Sequence, residues 1–475
     1  MLRDDIHDLI ARCFGPQGGR LHVSDVSIAG LAEQYGTPLF VYDPATMDDR
    51  LNVLRRALPA KFDVYYSVKA NPNLAILSHF VMRGCGLEVA SGGEFIQAIA
   101  AGCRPDRILF AGPAKTDAEL ELTVSRNIGE IHVESPHEAT RIAKICARRN
   151  VRTRVGIRVN PSGDVQGGAM RMGGKPAPFG VDEEKIDELV KRLSTERYLD
   201  LCGLHMFLGT QILDSSILVR QYQKAVDLAR RVVLQTGRPL ETVDFGGGLG
   251  IPYFPGDREL NLSEFAYGLS NLFNSVQHDP AFLGTRFVVE PGRFLVGEAG
   301  IYVARIIDIK ESRGKKFLIL DGGMNHHLAA SGNLGQTIKR NYPMVLIDKL
   351  DCPAEEPVEV VGPLCTPLDT LGRSVMLPKA DIGDLIAILQ SGAYVRTASP
   401  LGFLSHPSPP EVWINQGQDF LIRSRGDVAE AMRGVNLPPA ILSGQSCSRT
   451  LRGLFLASSN EPTQTERELP MRAES

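Results

Sequence analysis

From Phe62 onward, short apolar, β-branched runs alternate with longer stretches whose apolar residues recur at helical spacing. The short runs are Phe62–Lys69, Leu87–Ala90, Ile108–Ala111, Glu130–Val133, Thr153–Val159, Leu201–Phe207, Thr242–Phe245 and Arg286–Val289. Helical patterns cover Leu74–Met82, Gly92–Ala101, Pro136–Arg149, Glu183–Arg192, Ile217–Gln235 and Leu262–Ser275. Strands that alternate with helices pair in parallel through right-handed crossovers. Eight such repeats predict an α/β fold with a closed, TIM-like (β/α)8 barrel over residues 46–300; an open doubly wound sheet is the rival. A barrel places functional groups where its strands end.

After residue 300 the texture changes. Tyr302–Ile309, Lys316–Leu320, Val358–Val361, Leu385–Gln390 and Glu411–Ile414 read as strands separated by turns. They predict a second, β-sandwich or barrel-like domain over 301–420. Residues 1–45 are expected to join it through Pro38–Tyr42. Residues 421–475 form an extension, polar from Gly426 and expected to fray towards Ser458–Ser475.

Composition narrows the function classes. The chain has 475 residues, 43% hydrophobic and 23% charged, with a formal net charge of -3. No basic block suits a nucleic-acid backbone, so nucleic acid is not an expected partner. Eight cysteines are scattered without a C-x-x-C pair, which argues against zinc or a disulfide framework and fits a reducing compartment. The segment Met1–Ile10 carries Arg, Asp and His, unlike a secretory signal. No apolar run approaches the roughly 18 residues of a spanning helix. A cytoplasmic location without membrane contact is expected.

The chemistry-bearing residues cluster at strand ends. Lys69 closes the first run, in Tyr66-Ser-Val-Lys-Ala-Asn71. A partly desolvated lysine can shed its proton and condense with an aldehyde, although an isolated lysine is ordinarily a solvated surface group. Gly246-Gly247-Gly248 follows the seventh run, where barrel phosphate sites recur. Glu290, in Glu290-Pro-Gly292-Arg293, ends the eighth and could hold a pyridine nitrogen protonated; a plain Glu–Arg ion pair is the alternative. His205 and Thr210 flank the sixth, where an imidazole could stack on a flat ring and a hydroxyl bind phosphate. These signals converge on a phosphorylated aromatic aldehyde.

Tyr-Ser-Val-Lys-Ala-Asn, Gly-Gly-Gly-Leu-Gly and Glu-Pro-Gly-Arg together resemble the fold-type III pyridoxal-phosphate decarboxylases, the family of diaminopimelate and ornithine decarboxylases, over residues 35–415. The resemblance implies pyridoxal 5'-phosphate as cofactor and a head-to-tail homodimer with shared active sites. It implies that Lys69 forms an imine with the cofactor, His205 stacks on its ring and Glu290 pairs with its nitrogen. Thr210, Gly247, Gly248, Gly292, Arg293 and Tyr394 would surround the phosphate. Glu88, usually Asp in the family, would lie near the Schiff base, with Arg158 and Glu94 in the polar network. Cys365, in a loop entering the partner's site, would protonate the carbanion.

The departures concern substrate. Diaminopimelate decarboxylases carry an acid after this cysteine, where Thr366 stands, and an Arg-Pro-x-x-Tyr segment where this chain has Asn325-His326-His327. Ornithine and lysine decarboxylases also use the acid; Asp369 is a candidate substitute. The motifs are closer to a biosynthetic-cluster subgroup that includes the glutamyl-carrier-protein decarboxylase of butirosin biosynthesis and exosortase-associated decarboxylases. That implies an amino acid, or an aminoacyl group on a carrier protein, as substrate. His326 and His327, if in a strand, face opposite ways, a poor metal pair; His326 would line the substrate entrance. Ser162–Phe179 reads equally as a lid or a surface loop. A racemase, or a homologue without catalysis, are the functional rivals.

Overall fold

Eight strands pair in parallel and close into a barrel in the computed structural model, which describes residues 4–162, 170–171, 176–207, 209–334, 336, 339–436 and 438. Before the barrel come α1 (Asp4–Cys13), α2 (Ile28–Tyr35), β1 (Leu39–Tyr42) and α3 (Pro44–Ala57). The barrel strands are β2 (Phe62–Ser67), β3 (Gly86–Val89), β4 (Ile108–Phe110), β5 (Glu130–Val133), β6 (Thr153–Asn160), β7 (Leu199–Met206), β8 (Thr242–Asp244) and β9 (Arg286–Val289). Closure comes from β9 pairing with β2, in the register Phe287 to Phe62. Helices follow the strands in turn: α4 (Leu74–Met82), α5 (Gly92–Ala100), α6 (Asp117–Ser125), α7 (Pro136–Arg149), α8 (Ile186–Thr195), α9 (Ser215–Thr236), α10 (Leu262–Val276) and α11 (Arg293–Val296).

Local chemistry explains where these helices start. Ser91 and Ser135 accept hydrogen bonds from the backbone N–H groups of Glu94 and Glu138, and Pro136 follows its cap directly. Helix α6 escapes a periodicity reading because Leu120, Leu122 and Val124 alternate as in a strand. Its start is fixed by a capping box between Thr116 and Glu119.

The second sheet is built on β10 (Gly300–Ser312), which pairs antiparallel with β1 and with β11 (Lys315–Leu320). Further members are β12 (Met344–Leu346), β13 (Glu356–Val361), β14 (Thr370–Leu377), β15 (Leu385–Ile388), β16 (Glu411–Asn415) and β17 (Gln418–Arg423). The sequence reading contains no strand at β12, at β14, whose central Arg373 and Ser374 are exposed, or at β17. His326 lies in a turn and His327 directly after it, neither in a strand, and both are buried. The question of a lid falls largely on residues 163–169 and 172–175, outside the described residues, as does the tail from 439 onward.

Burial holds four histidines neutral: it lowers the pKa values of His79 and His205 to about 4, and of His326 and His327 to about 3. Such a histidine takes up its proton in the unfolded chain first, so stability falls as pH drops from about 6.5 towards 4. Urea unfolding at stepped pH reads that slope. His327→Gln is expected to flatten it; an unchanged slope would show that His327 titrates alike in both states.

Candidate active site

Lys69 sits in a 3-10 turn, Val68–Ala70, directly after β2. Tyr66 Oη donates to Asn71 O at 3.1 Å, Tyr394 N to Ala70 O at 2.8 Å and Asn71 Nδ2 to Gly392 O at 3.0 Å. The lysine Nζ lies 2.9 and 3.1 Å from the two oxygens of Glu88, at the end of β3. Ser67 Oγ also donates to Glu88, at 2.5 Å. Burial opposes the Lys69 charge, but Glu88, Tyr394 and Glu290 outweigh it and hold the pKa above the usual range. Lys69 therefore rests as a cation, with Glu88 the carboxylate in hydrogen-bond contact with it.

The far side of the same cavity, about 200 Å³, is an anion site by its donors. Arg293 stands beneath the Tyr394 ring, with its Cζ 4.8 Å from the centroid, and donates from Nη1 to Tyr253 Oη at 3.1 Å. Its Nε is buried without a hydrogen-bond partner, and among the described residues no carboxylate lies within ion-pair distance. A guanidinium so enclosed calls for a negative ligand. Beside it, Gly246 and Gly248 adopt φ of +66° and +106°, and a Cβ on Gly247 would lie 2.6 Å from Glu290 O. The glycines let the loop pass where side chains would not fit.

Glu290 and His205 form the wall between these ends, with Oε2 3.5 Å from Nε2. Burial keeps His205 neutral, while Glu290, with burial opposing it, stays below the usual carboxylate range because His205 and Lys69 favour its anion. Glu88, Arg158, Thr210, Gly248 and Gly292 line the cavity as well. Arg158 donates to Glu134 at 2.6 Å and stands 5.2 Å from the Phe179 ring. Glu134 also accepts from the backbone N–H groups of Gly112 and Gly180, at 2.6 and 2.9 Å. Sequence reasoning missed Glu134, Phe179 and Phe207; the Glu134-Ser135 cap was the available signal.

Other sequence-predicted residues do not reach this cavity. Glu94 accepts from Ala90 N at 2.7 Å, and burial pushes its carboxyl up to about 7. Cys365 is exposed, on the turn between β13 and β14 beside Thr366. Asp369 is not a free counter-charge. Buried, it accepts from Met324 N at 2.6 Å and Leu364 N at 2.9 Å, tying two turns together. His326 is also buried away from the cavity, its Nδ1 3.2 Å from Tyr302 Oη.

Residues 45–297 match the family model described as pyridoxal-dependent decarboxylase, pyridoxal binding domain. The chain belongs to the pyridoxal-dependent decarboxylases. This decarboxylase is 35% identical over 409 residues to the L-glutamyl-(BtrI acyl-carrier protein) decarboxylase of Niallia circulans, covering 86% of this chain and 95% of that one. It is 33% identical over 430 residues to a diaminopimelate decarboxylase of Methanothermobacter thermautotrophicus, covering 89% and 97%. A diaminopimelate decarboxylase structure from M. jannaschii, in co-complex with L-lysine, superposes with a TM-score of 0.82 at 27% identity, covering 90% and 98%. The decarboxylase is a carboxy-lyase using pyridoxal phosphate, and its residues fit that cofactor: a lysine for the aldehyde and an unpaired guanidinium for the phosphate.

Arg293 yields a two-sided prediction. Arg293→Met removes charge-assisted hydrogen bonds worth about 1.5–3 kcal/mol each, so cofactor affinity should fall roughly tenfold to hundredfold. The same change removes an unpaired buried charge, so the melting temperature of the cofactor-free protein should not fall. Cofactor titration and thermal unfolding measure the two arms; a lowered apo melting temperature would make Arg293 a structural residue instead.

Proposed function

We propose that this decarboxylase removes the α-carboxylate of an amino acid whose distal end carries no free charge, an aminoacyl group tethered to a carrier protein. The observation that carries the reading is Asp369. Its oxygens are taken by two backbone N–H groups, so with Thr366 after Cys365 the loop offers no acid for a distal ammonium. Nor does the Asn325–Asn333 segment contain an arginine for a distal carboxylate. A charged substrate end left unpaired there would cost several kcal/mol. The similarity to a decarboxylase named for a carrier-bound glutamyl group supports the same reading.

Each residue then has a task. When bound, the cofactor ring accepts the electron pair released as carbon dioxide leaves. Lys69 would hold the cofactor through its aldehyde, and Glu88 would take the lysine proton. Glu290 would keep a proton at the ring nitrogen, and His205 would lie against the ring. Arg293, Thr210 and the backbone N–H groups of Gly247, Gly248 and Gly292 would bind the phosphate, with Tyr394 at that end. Cys365 of the partner subunit delivers the proton to Cα, which requires a homodimer. The exposure of Cys365, outside its own subunit's cavity, favours that arrangement. Seven unpaired cysteines among the described residues suit a cytoplasmic enzyme. Among the described residues no helix is long and apolar enough to cross a membrane.

The test is a mass-spectrometric comparison of carbon dioxide loss from glutamyl-carrier protein, free glutamate, ornithine, lysine and meso-diaminopimelate. The carrier-bound group should exceed each free amino acid in kcat/KM by at least about tenfold, the equivalent of ~1.4 kcal/mol. Efficient turnover of free diaminopimelate with no loss from the carrier-bound group would overturn the reading.

A further inference from the structure

The barrel interior behind Glu290 is polar where such barrels are ordinarily filled with Val, Ile and Leu. Glu130 and His132 come from β5, His205 from β7, Asp244 from β8 and Glu290 from the end of β9; all five are buried. His132 Nε2 lies 3.4 Å from Glu130 Oε1 and 3.9 Å from Asp244 Oδ2. The rings of His132 and His205 are 4.4 Å apart, and the polar atoms of His132, His205, Asp244 and Glu290 all fall within 4.8 Å of one another. Asp244 Oδ1 accepts from Gly246 N at 2.8 Å, whereas its Oδ2 and Glu290 Oε1 have no hydrogen-bond partner among the described residues.

Two strands make room for this layer. A Cβ on Gly156 of β6 would lie 2.2 Å from Glu130 Oε1, and one on Gly203 of β7 would lie 2.1 Å from the same oxygen. Side chains at both positions are given up to admit one carboxylate. Three carboxylates in such an enclosure cannot all ionise. The groups facing them from other elements are Arg154 and Arg158 on β6, Lys69 after β2, Cys202 on β7, Thr242 on β8 and Tyr222 on α9. Lys69 is committed to Glu88, and Arg154 pairs with Glu241. Burial, then Glu290 and Glu130, push Asp244 well above the usual carboxylate range, while Glu290 is held below it.

We infer that Asp244 keeps a proton as a neutral carboxylic acid behind Glu290, and that Asp244 and His132 are positioning residues that hold Glu290 ionised towards the cofactor's ring nitrogen. The inference rests on the role proposed for Glu290. The acid serves as a donor to a neighbour that must remain an anion, and it spares that neighbour a second negative charge at close range. His132 Nε2 reaches towards both Glu130 and Asp244, and its ring lies against that of His205 at a tilt of 32°, so that the ring-covering histidine rests on it.

Infrared spectroscopy of the cofactor-free protein reads the proton directly, and the pH midpoint of the bound cofactor's visible band reads its consequence. Well above pH 7, where Glu94 is ionised, the wild type should show a protonated-carboxyl stretch that Asp244→Asn abolishes. Asn is a neutral isostere of the protonated acid, so Asp244→Asn should leave the band midpoint in place. Asp244→Ala and His132→Phe should move it by at least about threefold in proton affinity, and Glu290→Gln by more. Absence of the stretch would overturn the inference. So would equal shifts in the Asn and Ala variants, an unmoved midpoint in His132→Phe, or stoichiometric metal in the purified protein. A midpoint indifferent to Glu290→Gln would remove the role of Glu290 itself. A midpoint that moves in Glu290→Gln, but in neither Asp244→Ala nor His132→Phe, would remove only the part assigned here.

Discussion

Replacing Lys69 with Ala should abolish the visible band of the bound cofactor and reduce decarboxylation by on the order of 10⁴-fold, the scale expected when a covalent nucleophile is lost. The fold should survive, because the Lys69 side chain enters the cavity while its turn is held by the backbone groups of Ala70 and the side chain of Asn71. Removing the lysine also leaves Glu88 buried with only Ser67 as partner. Absorbance after cofactor addition and carbon dioxide release measure the first two effects. A retained band with normal turnover would remove Lys69 from the mechanism.

The second large effect is expected at Cys365. Cys365→Ala should lower amine formation by roughly 10²- to 10⁴-fold, the usual contribution of a positioned proton donor. Cofactor binding should be unchanged, because Cys365 does not line the cavity of its own subunit. Mixing inactive Lys69→Ala and Cys365→Ala subunits should restore activity, since one of the two mixed sites then has both residues intact. Failure of the mixture to recover activity would place Cys365 outside the partner's site.

The barrel was legible because its strands appear as short, β-branched and largely apolar runs between turn residues, and each run lies within two residues of a barrel strand. The residues gathered in the cavity were legible for a related reason. Lys69, Glu88, Glu290 and the Gly246–Gly248 loop sit at or just beyond strand ends, so a barrel topology alone brings them to one rim. What stayed hidden depends on relations between strands. Glu130 and His132 look like ordinary polar alternation in β5 until Gly156 and Gly203 are seen to yield the space they occupy. Asp369 looks like a spare acid until the turn geometry brings two backbone N–H groups onto it. Helix α6 carries a strand-like alternation that only its capping box contradicts.

The Asn71–Gly392 bond, made beside Lys69, joins residues 321 positions apart. With the bond from Tyr394 to Ala70, it clamps the turn of Lys69 from the far domain. A barrel excised over residues 45–297 would keep the eight strands and the lysine but lose both clamps and Tyr394. The transferable unit of this decarboxylase is therefore larger than its barrel: a chimera must exchange the β-sheet domain together with the barrel, or the graft will carry Lys69 without the restraint that holds its turn.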